Sequence, residues 1–509
     1  VSLSKLKYND QETNIIKDTI DFSKNLDFFV SMIKNIDLDY NRESPFHPSK
    51  KYPEYPFNET GGKNDVYEAV RELFCMLSLD IENFGKASWN PLGVIIKPGD
   101  TVLIKPNFVR HFNIVGGIEE MITHGSIIRA VMDYAYIALK GTGKIIVGDS
   151  PLGNGDFNRI AEMSGLYGVS DHYKNNGIDI EIIDFRVYKM IPKGPEALSD
   201  KIKNGDPLGY SAIDLKDDSE LLEIINDNKK FRNTNYDSSE MAQHHLRGKN
   251  EFLIPNSILS ADVILNLPKL KTHRKAGLTC ALKNQIGING CKAWLPHHRI
   301  GSIEEGGDEY LHKSLRKSIQ SRINDKMPDR NRGYMLVRTI FDIFVAVSRR
   351  IKPFKDTYFE GSWYGNETLP RTITDLNKII FYADKNGIMR DELQRKMLIL
   401  VDGILAGEGN GPIEPLAKKC GILMAGFNPV SIDYVCPFIM GFDHKKIPIF
   451  KYVFKPKKYK IFNGKVEDIK VILNGKIMDE KDLYKVLNHH FIPNPGWIGH
   501  IEYDGSLES

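Results

Sequence analysis

An α/β fold is predicted: two parallel-sheet lobes with helices on both faces, a ligand cleft between the lobes and a helical N-terminal extension. Three observations carry it. Short apolar runs alternate with helical patterns from residue 64 to residue 450, the order that builds strand–helix–strand crossovers and hence parallel sheets. Several of those runs end in polar clusters, at Lys105-Pro106-Asn107, at Gly148-Asp149-Ser150 and beyond Pro268, as strands that end at a ligand crevice do. With 509 residues the chain exceeds what one hydrophobic core usually supports, so more than one unit is expected.

Taken in order, residues 1–62 read as an extension. Residues 10–36 carry Ile15, Ile16, Ile20, Phe22, Leu26, Phe29 and Ile33 at helical intervals, and a proline- and aromatic-rich arm follows to residue 57. The first lobe spans 63–250. Asn64 caps a helix through residue 79, a turn at 97–100 leads into a strand at 101–104, residues 126–139 form a helix, and strands follow at 145–147 and 178–185. Residues 186–250 are polar and irregular and read as an insertion or lid. The second lobe spans 251–460, with a strand at 262–267, a helical insertion at 305–390 (helices at 308–323, 333–351 and 374–386), and strands at 397–401 and 421–425. Pro429 starts another helix. A C-terminal edge strand at 468–474, a helix at 480–487 and a surface tail complete 461–509.

Composition excludes several classes. Lys plus Arg total 69 against 66 Asp plus Glu, with 27% charged residues, so no nucleic-acid footprint is expected. Hydrophobic content of 41% and a mean hydropathy of -0.33 describe a soluble globular chain. The most apolar window, 334–347, contains Arg338 and Asp342 and is too short to span a bilayer, so no transmembrane segment is expected. No basic segment followed by an apolar stretch opens the chain, and a secretory signal is not expected. The five cysteines, Cys75, Cys280, Cys291, Cys420 and Cys436, include no C-x-x-C pair. Zinc-ribbon and iron–sulfur sites are therefore not expected, and a reducing, cytoplasmic location is. Composition leaves homo-oligomerisation open.

Candidate chemistry falls into three clusters. Lys105, Asn107 and Arg110 stand at one strand end beside Asp149 and Ser150 at the next, donors suited to a carboxylate or phosphate oxygen. The second cluster is the stretch from Ile258 to His298, with Lys271, Thr272, His273, Lys283 and Asn284. A lysine walled by Ala281, Leu282 and Ile286 has its charged form disfavoured and becomes a nucleophilic amine. His297 and His298 close the stretch, and neutral imidazole is a common metal ligand. The third is the glycine-rich turn 402–412, where Gly409, Asn410 and Gly411 offer backbone N–H groups that cradle oxyanions, and Glu408 offers an acid–base group. It matches neither nucleotide-binding glycine signature.

VLIKPNFV (102–109), IIVGDSP (145–151), ADVILNLPKLKTH through ALKNQIG (261–287), and VDGILAGEGNGP through AGFNPVSIDY and MGFD (401–443) occur in this order. Over residues 64–450 the chain thereby resembles the prokaryotic family called domain of unknown function 362. The segment PKLKTHRKAGLTCALKNQIGING is also similar to a stretch of the lactate racemases, in which a histidine precedes by ten residues a lysine bearing a nickel-pincer nucleotide. That resemblance implies His273 as a proton-transfer base, Lys283 as the cofactor anchor, and His297 or His298 as a metal ligand. Where those racemases have a catalytic histidine, this chain has Gly148-Asp149-Ser150-Pro151. The function expected is an enzyme, isomerase-like or oxidoreductase-like. It would act on a small anionic metabolite, a hydroxy acid or sugar acid, by proton or hydride transfer at a cleft lined by His273 and Lys283. The alternative is a non-catalytic binding protein for a phosphate-bearing metabolite.

Overall fold

The computed structural model describes residues 26–193, 196–202, 205–234, 236–325, 358–455 and 458–505. The sequence period decides the centre of the molecule. In β2 (Thr101–Pro106), β3 (Lys144–Asp149) and β7 (Val263–Leu267) nearly every residue is buried, the mark of parallel strands covered on both faces. Alternate side chains enter opposite layers: Val102, Ile104, Val263 and Leu265 pack in one, Leu103 and Ile264 in the other. Helices α1 (Asp65–Met76) and α2 (Gly125–Leu139) cover the first face. Helices α6 (Thr368–Tyr382) and α7 (Pro429–Met440) cover the second.

The fold is mixed α/β around one large, mostly parallel sheet. Two more elements of the first half complete its edge: helices α3 (Phe157–Met163) and α4 (Leu166–Asn175) lead into β4 (Ile180–Asp184). The other members are β1 (Phe29–Lys34), β10 (Lys396–Asn410), β11 (Glu414–Gly426), β12 (Lys470–Leu473) and β13 (Lys476–Met478), in the order β13-β12-β1-β11-β10-β7-β2-β3-β4. The strands expected in two lobes are thus continuous: β7 pairs in parallel with β2 on one side and with β10 on the other. Between these halves lie β5 (Tyr210–Asp214) and β6 (Lys249–Pro255), an antiparallel pair in a separate sheet. The region expected to be irregular therefore contains strands.

Several expectations are met closely. The Asn64 side chain accepts from Tyr67 N and caps α1, Pro429 opens α7, and α8 (Glu480–Leu487) and β12 stand where predicted. Two differ. Phe29–Lys34 is a strand, antiparallel to β11 and parallel to β12, not the end of a helix. Its run FFVSMI is apolar on both faces, a pattern that fits a fully buried strand as well as a helix. The glycine-rich stretch expected as a turn is the second half of the 15-residue β10, which continues in an antiparallel ladder with β11 to Asn410↔Glu414. The helix expected at 333–351, the apolar window 334–347 and residues 10–25 lie outside the described residues. Among the described residues no helix is long and apolar enough to cross a membrane.

Candidate functional site

The site grows from strand ends in register. Asn266 of β7 lies opposite Lys105 of β2, and Leu267 opposite Pro106, so the polar residues that follow emerge on one edge. Past Pro268 the chain re-enters as β8 (Lys269–His273), which pairs with the outer half of β10 and turns back through β9 (Gly277–Thr279). The short helix α5 (Ala281–Asn284) follows. Its first N–H groups are held by Asp433 of α7, at 2.6 Å from Ala281 N and 3.1 Å from Leu282 N.

Lys105 and Asp149 form a buried ion pair of 2.8 Å. The Asp149 carboxylate is further fixed by Phe108 N at 2.7 Å and Ser150 N at 2.8 Å. Asn284 joins two strand ends: its Oδ1 accepts from Asn107 Nδ2 at 2.9 Å and Lys105 Nζ at 3.3 Å, and its Nδ2 donates to Asn266 Oδ1 at 2.7 Å. Lys271 donates to Asn107 Oδ1 and Met121 O, both at 2.5 Å. Lys292 donates to Ile286 O at 3.2 Å, and Lys275 Nζ stands 3.3 Å from His298 Nδ1. Gly287 leaves the room in which the ion pair sits: a Cβ there would stand 2.0 Å from Asp149 Oδ1.

Charge in this cluster is one-sided. Among the described residues Lys271, Lys275, Lys283 and Lys292 have no ion-pair partner, and each is pushed down by loss of hydration. For Lys292 burial acts first, with Asp149 opposing it, and the value falls to about 7. Lys275 also falls to about 7, through burial and then Arg274, against the opposing charges of Glu360, Asp308 and Glu309. Lys283 falls to about 8, through burial and then Lys105, with Asp149 opposing. The Lys283 charge in turn depresses Lys271, His273, Lys292 and His297, which puts it at the electrostatic centre.

The histidines are held neutral, and their hydrogen bonds assign their tautomers. His273 Nδ1 accepts from Lys275 N and Ala276 N, both at 3.1 Å, so its proton is on Nε2. In this state Nε2 is a donor. His297 has the opposite arrangement: Nδ1 must donate to Leu295 O at 2.8 Å, and the Nε2 lone pair is left to accept.

Other expected residues are placed differently. Arg110 is spent on Phe112 O at 2.8 Å and Ile413 O at 2.7 Å, and Ser150 Oγ on Asn289 O at 3.0 Å. Thr272 Oγ1 donates to Gly409 O at 2.9 Å. Glu408 pairs with Lys418 at 3.2 Å and accepts from Ile492 N at 2.9 Å, so the structure ties it to the hairpin and the C-terminal tail. The N–H groups expected to cradle an oxyanion are taken, Gly409 N by Ile492 O and Gly411 N by Gly409 O. Asn410 bonds Glu414 at 3.0 Å and Asn494 at 2.9 Å. Residues not singled out from sequence include Asn266, Lys275, Gly287 and Lys292; the two lysines were discoverable as further cations in the donor-rich stretch from Ile258 to His298. A cavity of about 430 Å³ lies elsewhere, lined in part by Arg299, Asp308, Tyr364 and Tyr452.

The surroundings of His297 and His298 do not fit a bare metal ion. Lys275 crowds His298 Nδ1, and Lys275, Lys283 and Lys292 all bear on His297, so a dication would meet charge of its own sign.

The family described as a domain of unknown function, DUF362, matches residues 217–437, which is the family expected from the sequence. The chain is similar to the thylakoid-associated protein sll1697 of Synechocystis sp. (strain ATCC 27184 / PCC 6803 / Kazusa), at 24% identity over 360 residues, covering 70% of this chain and 68% of the relative. No solved structure matches.

Proposed function

We propose that the chain is an enzyme that binds a small anionic metabolite, of the hydroxy-acid or sugar-acid class, among the lysines of β8 and of the chain that follows it, and moves a proton on it. The observation that supports this is the unbalanced charge: Lys271, Lys283 and Lys292 share one region whose Asp149 carboxylate is already paired with Lys105, and Lys275, which feels Glu360, Asp308 and Glu309, still has no ion-pair partner among the described residues. Buried cations without counter-charge are costly, and an anionic ligand offsets that cost through charge-assisted hydrogen bonds. His273 Nε2–H is placed to donate to oxygen charge that develops in the reaction, and His297 Nε2 is free to take a proton. A nickel-pincer nucleotide on Lys283, as the lactate racemase resemblance implies, would supply hydride chemistry; since the cationic cluster does not fit a bare metal, no step is routed through one. The five cysteines, all unbridged and buried, fit a reducing compartment, and the reading places the protein in the cytoplasm.

The test combines binding with exchange. Lactate, gluconate and inorganic phosphate are titrated by calorimetry into the purified chain and into Lys271→Met, and solvent deuterium incorporation next to the carboxylate is followed by proton NMR. Lactate or gluconate is expected to bind, at least tenfold more weakly to Lys271→Met, and its carbon-bound proton to exchange. Binding without exchange would move the reading to a non-catalytic carrier; no binding by any anion would overturn it.

A further inference from the structure

We propose that Lys283 forms an imine with the carbonyl of its substrate, so that the site takes an oxo acid: an aldehyde or ketone that carries a carboxylate, an open-chain sugar acid included. This rests on the anion-site reading and shifts its substrate class from hydroxy acids to their carbonyl counterparts.

The geometry sets Lys283 apart from its neighbours. Lys105 is held by Asp149, Lys271 by Asn107 and Met121 O, Lys292 by Ile286 O, and Lys275 lies against His298. All four are buried. Lys283 is only half-buried, and among the described residues no hydrogen bond or ion pair holds its amine. The backbone that presents it is fixed on both sides: Asp433 holds the N–H groups of Ala281 and Leu282, Asn377 Nδ2 donates to Leu282 O at 3.0 Å, and Asn284 is locked to Asn266, Asn107 and Lys105. A reachable, unbonded amine on a rigid element, surrounded by ammonium groups, is the arrangement that yields a nucleophilic lysine. Fixed cations beside it select a carbonyl compound that also bears negative charge.

The step balances without an oxidant or reductant. The neutral amine adds to the carbonyl carbon and a C–N bond forms. The C–O bond then breaks and the oxygen leaves as water, taking one proton from the nitrogen and one from a neighbouring ammonium group or solvent. The nitrogen keeps its second proton as an iminium. That cation draws electrons from the adjacent carbon, whose proton passes to the lone pair that the tautomer leaves on His297 Nε2.

The experiment treats the purified full chain with pyruvate or glyoxylate and sodium cyanoborohydride, the hydride donor that traps an imine as a secondary amine. Intact-mass and peptide analysis are expected to show a single addition mapping to Lys283, absent from Lys283→Arg, and at least tenfold slower with acetone, which lacks the carboxylate. Labelling spread over surface lysines, or a preference for acetone, would overturn the proposal, as would a group already attached to Lys283 in the purified protein. The wild-type peptide map decides even where Lys283→Arg fails to fold. Pyruvate and phosphate titrations without reductant separate the two levels: binding with no adduct removes the imine and leaves the anion site, whereas neither binding nor adduct removes both.

Discussion

At the scale of single residues, the chemistry of the site follows from which lysines have partners. Lys275 and Lys292 are pushed to about 7 and Lys283 to about 8, below the value of a free lysine, about 10.4. Between those limits the unfolded chain binds more protons than the folded one, so these groups make stability rise with pH through that window, and their penalty is complete below it. An anion needs the ammonium forms, so its affinity falls over the same window. The groups that bear on Lys283 and set this balance are Lys105, Asp149, Lys271, His273, Lys292 and His297. The rise in melting temperature given by phosphate or pyruvate is therefore expected to be larger at pH 6.5 than at pH 9; an equal rise would show that these lysines do not hold the anion. Gly287 gives a sharper test of the ion pair beneath. An added Cβ would stand 2.0 Å from Asp149 Oδ1 and 2.6 Å from Lys105 Nζ, so Gly287→Ala is expected to pry the pair apart and cost about 3–5 kcal/mol in urea unfolding. Lys105 and Asp149 were legible because charged residues at strand ends are conspicuous, and Lys283 because it stands among the apolar Ala281, Leu282 and Ile286. Gly287 was not, because its role depends on a contact across 138 positions of chain to Asp149.

At the scale of elements, what the sequence conceals is how distant segments close on one another. The arm after β1 reads as a passive wrapping, yet Tyr40 enters the sheet edge. Its hydroxyl donates to Asp402 Oδ1 at 2.5 Å and accepts from Lys269 Nζ at 2.7 Å and Leu405 N at 3.2 Å. Asp402 and Lys269 also pair directly at 3.0 Å, both fully buried. The arm thereby clamps β8 to β10 one strand position from the site. No local pattern announces such a tyrosine among the many of the arm. Tyr40→Phe is expected to leave the ion pair in place but strip it of its bridging hydroxyl, at a cost of about 1–3 kcal/mol, read by denaturant unfolding, with anion affinity changed by less than about threefold. A loss of anion binding as large as that of Lys271→Met would instead make the arm part of the binding machinery. The glycine-rich stretch shows the same limit of sequence reading. Gly411 is needed because a Cβ there would stand 2.1 Å from Thr272 O, where β8 passes the hairpin, and so its glycine serves backbone packing; the N–H groups of Gly409 and Gly411 close the hairpin and hold the tail.

For the whole molecule, strand existence was legible from apolar runs and their ends, whereas strand neighbourhood was not, because pairing partners such as β7 and β10 are separated by a long insertion. The consequence is thermodynamic. Two lobes with a cleft between them would unfold as two units, each with its own core. In the sheet described here β7 donates one edge to β2 and the other to β10, and β1, from the start of the described chain, lies between β11 and β12. Removing either half would strip a fully buried strand of its hydrogen-bond partners and expose one apolar layer on both sides of the break, a cost that couples the halves. The expectation is that hydrogen-exchange protection of residues 101–106, 144–149, 396–401 and 420–426 is lost at the same urea concentration in pulse-labelling mass spectrometry. A bound anion should shift all four together by the same increment, since opening the shared sheet anywhere would remove the frame that holds its site. If the segments before residue 150 open at a lower urea concentration than those after residue 396, the two-lobe organisation holds energetically despite the shared sheet. The anion would then be expected to raise the half that carries Lys271, Lys275, Lys283 and Lys292 and to leave the other where it stands, because a ligand stabilises only the unit that binds it.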